Sequence, residues 1–242
     1  MLKLYIIRHA QSANNALEHQ GQRVADPQLT ELGVKQAQYL AQHLRTGDPR
    51  DMDVDYRSGY SERLGVRSFG FTHLYCSAMH RALQTTLPVA QAVGLVPEIW
   101  LELHEVGGIY LDNGNGHEGL PGKTRLEVER EFAGFGIPAS FAPDGWWGVA
   151  RGHEAQDEAL ARVQSVAQQL RERALTDDTI GLITHGTFSD RLLKVLLGQN
   201  DIRGFYYMLY NVSITRLDFL DEARILVRYI NRIDHLPENI VS

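Results

Sequence analysis

The chain opens on a short apolar run, residues 2–7, that stops abruptly at Arg8-His9. Its β-branched and aromatic content, bounded by charge, predicts a buried strand. After the loop Asp26-Pro27-Gln28-Leu29-Thr30, the spacing of Leu32, Gln36, Tyr39, Leu40 and Leu44 predicts an amphipathic helix. Thr30 would cap it, and it should end near Thr46-Gly47. Residues 72–76 read as a short strand, and Ala78 to Val93 as a helix in which Pro88 is a kink or a break. A further strand is expected over Glu98 to Leu101. Glu154 to Arg173 carries the clearest helical stripe, with Leu160, Val163, Val166, Ala167 and Leu170 on one face. Ile180 to Thr184 is a second buried strand, followed by a helix from Phe188 to Leu197 that Gly198 would end. Ser213–Phe219 and Ile225–Ile230 read as a closing hairpin across residues 220–224. Strands alternate with helices through most of the chain. That order predicts an α/β fold, a three-layer α/β/α sandwich with a mainly parallel central sheet.

Two stretches interrupt the alternation, and a single domain of residues 1–242 with insertions at 47–71 and 106–150 is expected. The first holds Asp48, Asp51, Asp53 and Asp55, then Arg57, Arg63 and Arg67. It reads as part of a lid or as a homo-oligomer contact. Its acidic residues lack the glycine and terminal glutamate spacing of a calcium loop. The second is rich in glycine and holds Pro121, Pro138 and Pro143. A structureless loop of that length is unfavourable, so a helix is expected near Lys123–Phe132. The Trp146-Trp147 pair within it fits either core packing or an aromatic wall for a ligand.

Composition narrows the partners. The net charge of -6, with no window dominated by Lys and Arg, argues against nucleic acid or an anionic membrane surface. An anion would have to be caught by a few focused charges. Cys76 is the only cysteine, so neither an internal disulfide nor a cysteine-based metal site is expected. Neither a signal peptide nor a segment near the roughly 20 apolar residues of a membrane helix is apparent, and a cytoplasmic location is expected.

The candidate chemistry falls at strand ends. Arg8-His9, the segment Ser77 to Arg81, and His185 each follow a predicted strand. In a parallel sheet those C-terminal ends form the ligand crevice, so three separate segments can converge on one site. Helix starts there add backbone donors for an anion. Two imidazoles and two guanidiniums suit a phosphoryl group: Arg binds its oxygens in bidentate fashion, and a neutral imidazole can attack phosphorus. Glu105, in Leu103-His104-Glu105-Val106-Gly107-Gly108, is a candidate acid for the leaving oxygen, with Glu102 nearby. His80 and His104 read as bystanders.

These segments resemble, in order, the motifs of the histidine phosphatase superfamily, in its phosphoglycerate-mutase-like branch. The resemblance runs over nearly the whole chain. It rests on Arg8-His9-Ala10 with Asn15, Leu29-Thr30-Glu31-Leu32-Gly33-Val34-Lys35-Gln36-Ala37, Ser77 to Thr85, Leu103-His104-Glu105, the helix residues Glu154, Glu158, Arg162 and Val163, and Thr184-His185-Gly186. It implies that His9 is a phosphorylated nucleophile and Glu105 the general acid and later base. Arg8, Arg81 and His185 would bind the phosphoryl group, assisted by Asn15 and with Thr187 beside the substrate. Neither a metal nor a cofactor is implied. Two departures stand out: Ala10 replaces the usual glycine and could crowd the turn, and Thr187 stands where the mutases usually carry Asn. The expected activity is a metal-independent phosphomonoesterase acting on a small phosphorylated metabolite. A phosphoglycerate mutase or an inactive phosphate-binding module are the alternatives. The mutases are basic soon after the acid motif, whereas this chain has no Lys or Arg between Glu105 and Lys123, which favours hydrolysis.

Overall fold

A computed structural model describes residues 1–48, 69–199 and 204–242. In chain order its strands are β1 (Lys3–Arg8), β2 (His73–Cys76), β3 (Glu98–Ile99), β4 (Tyr110–Asp112), β5 (His117–Gly119), β6 (Thr179–Thr184), β7 (Ile214–Phe219) and β8 (Ile225–Arg232). Its α-helices are α1 (Glu31–Thr46), α2 (His80–Val93), α3 (Arg125–Glu131), α4 (Gln156–Glu172) and α5 (Gly186–Leu196). Among the described residues the main sheet has the order β3-β2-β6-β1-β7-β8. The first four strands are parallel, and β7 and β8 add an antiparallel edge. The expected α/β sandwich is the observed fold.

β1 shows why the sheet is covered on both faces. Tyr5 and Ile7 point into one apolar cluster with α1 and α2, while Leu2, Leu4 and Ile6 point into another with α4 and α5. Alternate side chains leave a strand on opposite faces, so an unbroken apolar run serves two cores. Each fully buried aliphatic side chain contributes roughly 1.5–3 kcal/mol. Thr30 caps α1 as expected, accepting the Gly33 N–H at 3.0 Å. Gly33 itself is fixed by packing. A Cβ there would lie 2.0 Å from the Gln11 carbonyl oxygen, so the α1 start can approach the loop after β1 only without a side chain.

Register sets the site. β1 and β6 run level, from Lys3 opposite Thr179 to Arg8 opposite Thr184, so His9 and His185 leave the sheet side by side. β2 lies on the other side of β6 with Cys76 opposite Ile183, which brings Ser77 to the same rim.

Several expectations need correction. The strand expected over Glu98–Leu101 stops at Ile99, because Leu101–Leu103 winds into a 3-10 turn that buries Leu103. α2 begins at His80, and Pro88 lies inside it without ending it. Residues 106–150 hold an unexpected small hairpin, β4–β5, besides the expected helix, which is shorter and spans Arg125–Glu131. Most of the 47–71 stretch lies outside the described residues. Its end belongs to the core: Phe69 and Phe71 both meet the Tyr5 ring edge-on, at 5.4 and 5.2 Å.

Candidate active site

His9 sits at the β1 exit with its ring almost fully buried. Its Nδ1 lies 2.7 Å from the Ala10 carbonyl oxygen, which can only accept, so Nδ1 carries the hydrogen. Nε2 therefore holds the lone pair. Burial first, then the charges of Arg81 and Arg8, pushes the imidazole pKa well below its ordinary value. The ring is thus neutral at physiological pH. Asn211 donates its side-chain amide to the His9 carbonyl at 2.8 Å, and Val212 N–H bonds the Arg8 carbonyl at 3.0 Å. Val212 adopts φ 53°, a strained value for a β-branched residue, beside this strand exit.

Ala10 does not crowd the turn. It is not among the positive-φ residues, and its N–H donates to Thr85 Oγ1 at 3.0 Å. Thr85 in turn donates to the Arg81 carbonyl at 2.7 Å, and Gln84 Oε1 accepts the Leu29 N–H at 2.8 Å. Gln36 accepts the Gln11 N–H at 2.8 Å. The glutamines and the threonine of the sequence motifs thus tie α1 and α2 to the loop that carries His9.

Arg81 Nε donates to His9 Nε2 at 3.1 Å. Behind it stands Asp26, whose Oδ1 accepts the His80 N–H at 3.0 Å and lies 3.9 Å from Arg81 Nη1. Burial raises the Asp26 carboxyl to about 6, against the opposing pull of Arg81. Arg8 donates through Nη1 to the Leu209 carbonyl, and its Nε is buried without a hydrogen-bond partner. The His185 ring lies 5.0 Å from that of His9. Its Nε2 is 2.8 Å from Ser77 Oγ, which can donate to it and leave Nδ1 protonated. Burial and the neighbouring Arg81 also hold its pKa well below the ordinary value. Nδ1 has no hydrogen-bond partner. Arg8 Nε and His185 Nδ1 are thus two buried polar nitrogens without a hydrogen-bond partner in the protein.

Glu105 faces this group across a cavity of about 270 Å³ whose wall also includes Arg8, His9, Asn15, Arg81 and Thr187. Its Oε1 accepts the N–H groups of Val106 and Phe188, both at 2.9 Å, and Oε2 that of Thr187 at 3.1 Å. The first turn of α5 and its own loop therefore fix the carboxylate. Arg162 clamps that loop from α4. It meets Glu154 through two 2.7 Å bonds, and Nη1 reaches the carbonyls of Glu102 at 2.6 Å and His104 at 3.0 Å. Glu102 thus contributes its backbone. His104 is no bystander: it is buried, its Nδ1 donates to the Glu105 carbonyl at 2.9 Å, and its ring meets Trp147 edge-on at 4.9 Å. Trp146 and Trp147 are core residues. Gly108 makes room for Trp147, since a Cβ there would lie 2.1 Å from its ring.

A profile of the histidine phosphatase superfamily (branch 1) matches residues 4–63 and 60–232. The chain belongs to the histidine phosphatase superfamily. Among its relatives is the probable phosphoglycerate mutase GpmB of Yersinia pestis, 27% identical over 221 residues, spanning 90% of this chain and 86% of the relative. Solved structures share the fold. The Entamoeba histolytica phosphoserine phosphatase superposes with a TM-score of 0.57 at 20% identity, covering 98% of this chain and 100% of that one. A mycobacterial glucosyl-3-phosphoglycerate phosphatase gives 0.56 at 20% identity, over 95% and 98%.

The structure brings most of the residues singled out in the sequence to one cavity. Arg8, His9, Asn15, Arg81, Glu105 and Thr187 line the cavity, and His185 packs behind His9. Asn15 turns its Oδ1 to the Ser12 N–H and hydroxyl, at 3.1 and 3.0 Å, so its NH2 is the end left to donate. Sequence reasoning missed Arg23, Asp26, Tyr110 and Asn211. Asp26, just before the Leu29-Thr30 motif, carried a weak signal; the others carried none. Among the described residues no helix is long and apolar enough to cross a membrane.

Proposed function

We propose that this protein is a phosphomonoesterase that passes the phosphoryl group through His9. One observation carries the reading: the neutral His9 imidazole, anchored by Nδ1, offers Nε2 to a cavity that also holds two guanidiniums and a fixed carboxyl. The substrate phosphoryl group draws the Arg81 Nε–H from Nε2 onto its own oxygens, which frees the lone pair. Nε2 attacks phosphorus and the bond to the leaving oxygen breaks, while Glu105, entering the step as the carboxylic acid, gives that oxygen its proton. Arg8, Arg81 and the His185 Nδ1–H hold the equatorial oxygens as their charge redistributes. Water then attacks the phosphorus of phospho-His9, the P–N bond breaks, and Glu105 takes the proton back. Free phosphate and neutral His9 result.

The mutase reading is supported by the name of the Yersinia relatives. It requires further cations to hold a bisphosphorylated intermediate. Lys123 and Arg125 do not supply them: Lys123 is paired with Glu131 at 2.7 Å, and Arg125 with Glu129 at 3.0 Å. Arg23 is the one further cation lining the cavity wall as described. Arg57, Arg63 and Arg67 lie outside the described residues, and among the described ones hydrolysis is the better reading. Incubation with 3-phosphoglycerate and catalytic 2,3-bisphosphoglycerate, beside a panel of phosphomonoesters, tests it. Free phosphate should accumulate from preferred monoesters and be lost in His9→Ala. Rapid interconversion of the phosphoglycerates with little phosphate release would overturn it.

A further inference from the structure

Beside the phosphoryl cavity lies a second one of about 460 Å³, between the turn at Gly21–Arg23 and the β4–β5 hairpin. Arg23 and Tyr110 line both, so the two cavities adjoin and share a wall. The hairpin register places Asp112 opposite His117, with Tyr110 two residues before Asp112, so these three side chains share one face. Tyr110 and His117 meet edge-on at 5.0 Å, and His153 backs both rings, at 4.5 Å from Tyr110 and 4.8 Å from His117. The shelf is therefore built from buttressed aromatic rings with polar groups at its edge.

Its charge is the informative part. Arg23 and Asp112 bring one charge of each sign to the cavity, and among the described residues no other Lys, Arg, Asp or Glu lines it. A leaving group with its own carboxylate or phosphate would meet Asp112 as well as Arg23. An uncharged ring bearing hydroxyls suits every group present. Its C–H faces can lie on Tyr110 and His117, while its hydroxyls can donate to Asp112 and accept from Arg23.

Resting on the phosphatase reading above, we propose that the alcohol half of the substrate is an uncharged, hydroxylated ring, a sugar-type monophosphate, seated on the Tyr110–Asp112–His117 face. Binding to His9→Ala protein tests this without turnover, by calorimetry with pentose and hexose monophosphates against 3-phosphoglycerate and phosphoserine. At least one sugar phosphate should bind tenfold or more tightly than both acids. Asp112→Asn keeps the oxygen that accepts the Gly114 N–H at 2.9 Å and so preserves the turn. It should narrow that ratio several-fold, by weakening the sugar phosphate and strengthening phosphoglycerate. Tyr110→Ala should weaken the sugar phosphate more than either acid. The proposal is overturned if either acid binds as tightly as every sugar phosphate, or if Asp112→Asn leaves the ratio unmoved. Phosphoryl trapping on the wild-type enzyme separately reports whether His9 acts as nucleophile.

Discussion

The phosphoryl cavity and the hairpin shelf beside it share Arg23 and Tyr110 but are built in opposite ways. Around His9 the polar groups are buried or half-buried, and the His9, His185 and Glu105 side chains are held by partners of fixed geometry, from Ala10 to Ser77 and the α5 turn. On the shelf, Arg23, Asp112 and His117 are exposed and the hairpin turn runs through Gly114 and Gly116. On the proposed reading, phosphoryl transfer needs preorganised charge in a dry site, and the first construction suits that need. Recognition of a leaving group tolerates an open surface that loop changes can reshape. Changes near His9 should therefore act on rate, and changes on the shelf on selectivity.

The largest expected departures test the buried half. Glu105→Gln should slow hydrolysis of alkyl phosphates by roughly 10²–10⁴-fold, the usual contribution of a placed acid. Nitrophenyl phosphate, which needs little protonation, should suffer less in a single-turnover phosphorylation assay. Equal losses for both substrates would remove Glu105 from the role of acid. Arg81→Ala should lower kcat/KM by about 10²–10³-fold, by analogy with the loss of one donor to a developing charge. An unchanged value in steady-state kinetics would show that the guanidinium touches no phosphoryl oxygen.

Stability measurements probe the scaffold beneath. Arg162→Ala leaves Glu154 buried without its partner and frees the loop that carries Glu105. Breaking a buried pair from one side costs about 3–5 kcal/mol, readable in urea melts, and activity should fall with it. Burial, with Arg162 nearby, pushes His104 down to about 3, and burial beside His43 lowers His235 likewise to about 3. Both are neutral in the folded protein. Unfolding lets them take up protons below their ordinary value of 6.5, so the unfolded state binds more protons in that window. Stability should be full above pH 6.5 and decline as pH falls toward 3, with a smaller slope in His235→Asn. A Tm that rises on acidification would contradict the assignment. The smallest effect is expected on the shelf, where Tyr110→Ala should shift substrate preference more than it lowers the rate with a small donor such as acetyl phosphate.

The same contrast governs what could be read from the sequence. Strand exits, helix stripes and the Leu29-Thr30, Ser77–Thr85 and Thr184-His185 segments announce the buried half, because burial and fixed geometry restrict residue choice. Gly33 is legible in this sense: its helix start touches the Gln11 carbonyl, and no side chain fits. His104 escaped because it acts through the Glu105 backbone, and Asn211 because it reaches His9 from more than 200 residues away. Arg23 and Tyr110 escaped for another reason. The three-residue strands β4 and β5 are half-exposed and carry no periodic pattern, so nothing in the chain told which of its polar residues would face the cavity.

The central claim is that His9 carries the phosphoryl group, and rapid-quench trapping tests it most directly. Wild-type enzyme mixed with a ³²P-labelled phosphomonoester and quenched in alkali should yield an acid-labile, alkali-stable label that peptide mapping places on His9. Label on another residue, or turnover with none on His9 at any quench time, would contradict the account.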